Sequence, residues 1–598
     1  VQDVQNRIAP KLSAHNDAVK LDSRLFARVQ DLYERRDDLD LDAESLRLLE
    51  RLRLDFVRAG AELSEPDKRR LRQINEELSS LSTTFSQNLL AETNAAAVLV
   101  DDRAELDGLS DDAISAAAKA AEARGLDGKF LLTFNNFTNQ PQLASLRDAE
   151  LRARVYRASI SRGNRGGAHD NSATVLRMVK LRAEKARLLG YSDYASYVID
   201  DQTAGAAETV EDMLAKVTPA AVANARAEAA ERAEALGVET VAPQDWALAT
   251  ELLRKRRFDF DAAALRPYLE LDTVLRDGVF AAAGQLYGLS FAERFDLPAY
   301  HPDVRVFEVF DADGSALGLF CGDFYTRDSK NGGAWMNLLV QPTTLLDQKP
   351  VVVNNLNIPK PPDGKRALLT FTEVNAMFHE FGHALHGLFA TTTYPRFSGT
   401  SVPRDFVEYP SQVNEMWATW PQVISGYAKH HASGEPMPAE MVDKMLDSKR
   451  FNQGFATVEY LAAALVDLAW HRLTPDDVPD DVDAREFVER FEADTLARAG
   501  VDLAEISPRY RTTYFGHVFA GGYSAGYYSY IWSEVLDADS VEWFEDNGGL
   551  KRENGDHFRA ALLSKGGSVD PMRQFRDFAG RDPRIEPLLK RRGLDAAI

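Results

Sequence analysis

The sequence predicts a mainly α-helical protein with one small mixed β-sheet. Apolar residues recur every three or four positions through most of the 598-residue chain, the period of a helix with one buried face. Clear alternation of apolar and polar residues, the period of a strand, is confined to residues 304–355. At 45% hydrophobic and 27% charged the chain folds around apolar cores, and its length exceeds a single core, so two or more domains are expected. We expect a helical region at 1–138 and a second region, 139–598, that carries the chemically distinctive motifs.

The elements follow in order. Leu46, Leu49, Leu52 and Phe56 mark a first helical stripe. Ser64 caps a helix with Pro66 in its first turn, and Leu71, Ile74, Leu78, Leu81 and Phe85 give its buried face. Polar or glycine-rich breaks fall at residues 135–141 and 162–167. The Ala-, Glu- and Arg-rich stretch 210–236 reads as a long exposed helix with solvated charges. Residues 304–310 alternate, 311–314 turn and 317–325 return, while 332–340 and 350–355 add two strands. Gly332 and Gly333 would let another backbone approach closely there. Residues 357–364 form a proline-rich loop. A helix near 371–389 follows, with Thr370 and Glu373 in capping-box relation and an apolar side made by Phe371, Val374, Met377, Phe378, Phe381, Leu385 and Leu388. The longest apolar run, 460–470, is interrupted by Asp467 and falls well short of the ~18 residues a membrane span needs.

Charge and cysteine usage narrow the function classes. With 70 basic and 92 acidic side chains the net charge is −22, which argues against broad contact with nucleic acid or an anionic membrane. The single cysteine, Cys321, cannot form an internal disulfide. The first residues show no basic-then-apolar signal pattern. A cytoplasmic monomer is expected.

The chemistry concentrates in three segments. His379-Glu380-Phe381-Gly382-His383 has the HExxH spacing, which stacks two imidazoles on one helix face where both can bind one metal ion. Glu380 stands beside them, placed to take a proton from water. Zinc chemistry needs a third protein ligand and an open fourth position. From the residues alone Asp405, Glu408, Glu415 and His386 are all candidates for that third ligand. A helix near 403–420 would carry the acids, and those that are not ligands could orient an imidazole through its free N–H. Further on, a segment near 514–536 runs through His517, a glycine pair and Tyr523, Tyr527 and Tyr530. It reads as a loop entering a helix, with hydroxyls available to something polar.

HEFGHALH at 379–386, followed by FSGTSVPRDFVEYPSQ at 397–412, resembles the thimet oligopeptidase and neurolysin family of zinc metallopeptidases. The likeness covers nearly the whole chain. Through FYTRDSKNGGAWM at 324–336, HVFAGGYSAGYYSYIWSEVL at 517–536 and GGLKRENGDHFRAALLSKGGS at 548–568, it is nearest the family's bacterial peptidyl-dipeptidase branch. The resemblance implies a zincin-like catalytic core in a two-lobed helical ellipsoid with a deep central channel. It implies one Zn2+ held by His379, His383 and Glu408, with Glu380 as general base. His517, Tyr523 and Tyr530 would face the substrate, Tyr523 or Tyr530 would stabilise the oxyanion, and Tyr527, Gly333 and Ala334 would add substrate contacts. The implied substrates are short unfolded peptides, losing C-terminal dipeptides. An internal-cleaving oligopeptidase and an idle peptide-binding protein with a structural metal are the alternatives. Release of dipeptides needs a donor for the substrate's free carboxylate, and Arg327, Lys330, Arg396 and Arg404 are available.

Overall fold

A computed structural model of the chain describes residues 2–258, 262–327, 330, 333–361, 364–448 and 451–594. Gly332 and part of the 357–364 loop, residues 362 and 363, lie outside the described residues. The protein is 60% helical with a small mixed sheet. Among the described residues no helix is long and apolar enough to cross a membrane.

Two short strands, β1 (Val98–Val100) and β2 (Phe130–Leu132), pair antiparallel in the N-terminal part. The main sheet has five strands: β3 (Ser290–Glu293), β4 (Arg305–Phe310), β5 (Ala316–Tyr325), β6 (Trp335–Val340) and β7 (Val351–Ile358). Their spatial order is β3-β4-β5-β7-β6. The hairpin read from the sequence is β4–β5, while β5 pairs parallel with β7, with Cys321 opposite Val353. Among the described residues β6 pairs only with β7 and so offers a free edge. Burial explains the parallel partners. β7 is almost continuously buried, as a central strand should be, whereas β6 alternates between half-buried and exposed.

The helix Phe371–Leu388 leaves the proline-rich loop through the expected capping box and lies against this sheet. Phe381 packs edge-on to Phe320 of β5 at 5.3 Å between ring centres. Two large apolar cores result. One joins the sheet to this helix through Phe307, Phe320, Val352, Phe378 and Phe381. The other gathers Phe85, Val179, Leu214, Leu461, Trp470, Tyr527 and Tyr528. The helix Ser529–Asp546 feeds both, giving Ile531 to the second and Leu536 and Phe544 to the first.

Two expectations change. The segment 210–236 does form a helix, Ala207–Leu236, but it is not an exposed one: Val210, Leu214, Val217, Ala221 and Ala225 are buried. Its alanines let the helix Gln453–His471 come very close, because a Cβ at Gly454 would lie 2.5 Å from the Ala225 nitrogen. The helix expected near 403–420 is broken into Arg404–Val407 and Tyr409–Glu415. Pro410 cannot donate to the ladder, so the chain starts a new helix and leaves Glu408 at the junction.

Gly382 allows Tyr409–Glu415 to pack on Phe371–Leu388. A Cβ there would meet the Ser411 Cα at 2.6 Å and the Pro410 carbonyl at 2.9 Å, and both are backbone atoms that cannot turn aside. Gly382→Ala is expected to cost about 1–3 kcal/mol through overpacking. A thermal unfolding curve that matches the parent would reject this account.

Candidate active site

Helical spacing puts the two imidazoles one turn apart, with ring centres 5.1 Å from each other. The broken helix then delivers Glu408 between them. His379 Nε2 and His383 Nε2 each lie 3.2 Å from the same oxygen, Glu408 Oε2. Two ligands about 2.0–2.1 Å from one tetrahedral ion stand roughly 3.3 Å apart, so these separations suit a zinc-sized cation. Among the described residues, His379, His383 and Glu408 form the group whose ligand atoms converge within 4.8 Å. The donor set, two imidazoles and a carboxylate, is that of an open zinc site and not of a closed cysteine cage.

Neighbours fix two of the three, His379 and Glu408, whereas His383 Nδ1 has no hydrogen-bond partner among the described residues. Glu415 Oε1 lies 2.7 Å from His379 Nδ1, and Asn375 donates to the other Glu415 oxygen at 2.6 Å. An Nδ1–H donated to Glu415 leaves Nε2 as the ligating nitrogen. Ser411 and Tyr523 reach Glu408, the Tyr523 hydroxyl donating to Oε1 at 2.9 Å. Burial opposes charge on both partners, yet Glu408 and Glu415 hold the His379 imidazolium well above its ordinary range, and the two imidazoles hold the Glu408 carboxyl well below its own.

Glu380 is buried beside the trio. Burial raises its carboxyl above the usual range, against the pull of His379 and His383. Its Oε2 has no hydrogen-bond partner among the described residues. His386, a ligand candidate by sequence, is fully buried away from the convergence point; burial drops its imidazole to about 3, so it is neutral. Asp405 is also placed elsewhere. It accepts the Thr203 and Ala204 N–H groups and the Tyr528 hydroxyl, each at 3.0 Å.

The tyrosine segment lies against Glu408. The rings of Tyr523 and Tyr530 stack at 5.5 Å and 6°. Burial raises both phenols, and the nearby Glu408 charge adds to it, so both remain protonated donors. His517 lies 5.8 Å from the Tyr523 ring, and burial followed by repulsion from Arg509 lowers it to about 4. Tyr527 is buried between Tyr460, Tyr510 and Phe515, behind the other two. Gly333, at φ +86°, and Ala334 are exposed at the start of the free-edge strand β6, where the Gly333 carbonyl accepts from Asn357.

The four cations divide. Arg327 and Lys330 both hold the buried Asp323, at 2.8 and 3.0 Å, and Arg396 holds Asp55 at 3.3 Å. Arg404 lies over the Tyr523 ring at 4.6 Å, and no ion pair to it occurs among the described residues. The sequence reading missed the supports Asn375 and Ser411. It also missed Gln412, whose amide donates to the Tyr530 carbonyl at 3.1 Å. Helical spacing of three or four residues from His379 and Glu408 could have pointed to them. Replacing Glu415 with Ala should weaken metal affinity about 10–100-fold while the ligands stay in place. Competition against a chelator measures it, and an unchanged dissociation constant would count against the support.

Comparison with known proteins agrees with this geometry. Residues 142–594 match the family model described as peptidase family M3. The chain is 45% identical over 599 residues to a dipeptidyl carboxypeptidase of Escherichia coli strain K12, covering 100% of this chain and 87% of that protein. It is 34% identical over 617 residues to oligopeptidase A of the same strain, covering 99% and 88%. Among solved structures, an M32 carboxypeptidase from Deinococcus radiodurans R1 shares the fold, with TM-score 0.52 at 13% identity over 99% of this chain and 92% of that one. The metal-fitting trio and the full-length similarity lead to one conclusion: the chain belongs to peptidase family M3.

Proposed function

We propose that the protein is a zinc-dependent peptidyl-dipeptidase that removes dipeptides from the C-termini of short peptides. The observation that carries the reading is the convergence of His379, His383 and Glu408 beside Glu380, whose Oε2 has no hydrogen-bond partner among the described residues. The full-length similarity to the dipeptidyl carboxypeptidase supports the exopeptidase form.

His379, His383 and Glu408 would hold the ion. Bound there, a divalent cation supplies positive charge that acidifies water and polarises a carbonyl. Glu380 takes a proton from the attacking water and returns it to the leaving amine; its raised pKa suits both halves of that exchange. As the carbonyl oxygen becomes negative, the protonated Tyr523 and Tyr530 are the donors available to it, and neutral His517 adds an N–H. The free edge of β6, opened by Gly333 and Ala334, can add an extended peptide as a further strand. Of the four cations considered, Arg404 is the one without an acidic partner among the described residues, so it is free to receive a substrate carboxylate.

Removing the metal with a chelator should abolish hydrolysis, and about one equivalent of zinc per chain should restore it. Glu380→Gln should lower kcat by about 10²–10⁴-fold while zinc content stays at the parental level, since Glu380 is not a ligand. Near-full activity in that variant would refute the base assignment. A peptide and its C-terminally amidated twin separate exo from endo action. The free acid should lose dipeptides and the amide should persist, whereas equal cleavage of both would indicate an internal-cleaving oligopeptidase.

A further inference from the structure

Asp467, the charge that interrupts the apolar run of the second core, has a partner set that the catalytic reading leaves unused. It is 1% exposed on the helix Gln453–His471. Its Oδ1 accepts the Ala525 N–H and its Oδ2 the Tyr527 N–H, both at 2.9 Å. These amides belong to the turn between Tyr523 and Tyr530. Tyr460, two turns earlier on the same face of that helix, donates its hydroxyl to the Tyr527 carbonyl at 2.7 Å and accepts the Ile531 N–H at 3.2 Å.

The carboxylate is itself held. Arg182 Nη1 lies 2.8 Å from His471 Nε2, and because arginine only donates, that nitrogen must accept. The proton then sits on Nδ1, 2.8 Å from the Asp467 carbonyl and 3.0 Å from its Oδ1. Burial lowers His471, in keeping with a neutral ring. The other Arg182 nitrogen, Nη2, donates to the Val518 carbonyl at 3.0 Å, at the near end of the same loop. Both ends of the segment 518–527 are thus fixed by one buried chain of polar groups, while Ala520, Gly521 and Gly522 at its tip are exposed.

Ala525 shows that the turn is held and not merely preferred. It is 1% exposed and adopts φ +53°, a left-handed conformation that a Cβ disfavours. Two acceptors that fix the N–H groups at 525 and 527 keep the backbone there.

We infer that Asp467 and Tyr460 form a buried clamp that positions the turn presenting Tyr523 and Tyr530 to the metal trio. The inference rests on the reading that those tyrosines serve the reaction. Asp467 touches no substrate; it is a positioning residue that acts through the turn. In Asp467→Asn the amide NH2 faces a backbone N–H, so one of the two bonds is lost and the turn relaxes.

The test is a kinetic cycle on the zinc-loaded enzyme. Asp467→Asn should lower kcat about tenfold or more with zinc content unchanged and KM shifted far less, since small misplacements of catalytic groups act mainly on turnover. The same substitution in a Tyr523→Phe, Tyr530→Phe background should have almost no further effect, because the groups it positions are gone. Ala525→Gly, which makes the left-handed turn intrinsically easy, should restore part of the lost kcat in Asp467→Asn. If Asp467→Asn does not accumulate folded, Tyr460→Phe probes the same clamp and should give a smaller fall that also vanishes in the double-phenylalanine background. Parental kcat in the clamp variants, or an equal fall in both backgrounds, overturns the clamp. Parental kcat in the double-phenylalanine enzyme itself overturns instead the reading of the tyrosines.

Discussion

One buried carboxylate organises the site. Glu408 receives two imidazoles on one oxygen and a tyrosine hydroxyl on the other, and each comes from a different direction. A carboxylate this deeply enclosed is stable only if its charge is matched, and two neutral imidazoles match it poorly without a cation between them. Burial favours the neutral form of His379, yet Glu408 and Glu415 draw it toward positive charge. A divalent ion would satisfy the same electrostatic demand with no proton on Nε2. The trio is therefore matched to a cation by its charge as well as by its spacing.

The surrounding architecture meets this demand through close backbone approach. A continuous helix through residues 404–415 would give Glu408 ordinary helical neighbours; the break ahead of Pro410 places it at a junction instead. Gly382 then brings that junction against the metal helix. The sheet and the metal helix belong to one apolar core, and Tyr530, on which Tyr523 stacks, packs against the other. The Tyr523–Glu408 hydrogen bond therefore joins the two halves of the chemistry directly.

Local pattern made the metal helix, its capping box, the β4–β5 hairpin and the two imidazoles legible in the sequence, because each depends on neighbours within a few residues. Glu408 needed a family resemblance, since four side chains qualified on composition alone. The parallel pairing of β5 with β7 and the anchoring of Asp405 by residues 203 and 204 join segments far apart in sequence, and no local period encodes them. The burial of Ala207–Leu236 was misread for a related reason. Alanine looks neutral in a helical pattern, and its value as a close-packing surface appears only once Gly454 stands opposite. Asp467 was visible only as an interruption; the N–H groups it binds lie 58 and 60 residues further along.

The tyrosine loop combines two opposite requirements. Tyr523 donates to Glu408, so on the proposed mechanism a carbonyl oxygen that acquires charge would compete for the same proton donor. That exchange would require the Tyr523 hydroxyl to shift, beside the exposed Gly521 and Gly522. It also needs Tyr530 to stay in register, and its carbonyl is held by Gln412 from the third-ligand segment. The far end of the loop is thus tied both to the metal site and to the second core, while its tip is exposed. A loop loose along its whole length would lose the stacking of the two rings, and one rigid throughout could not transfer a hydrogen bond from carboxylate to substrate.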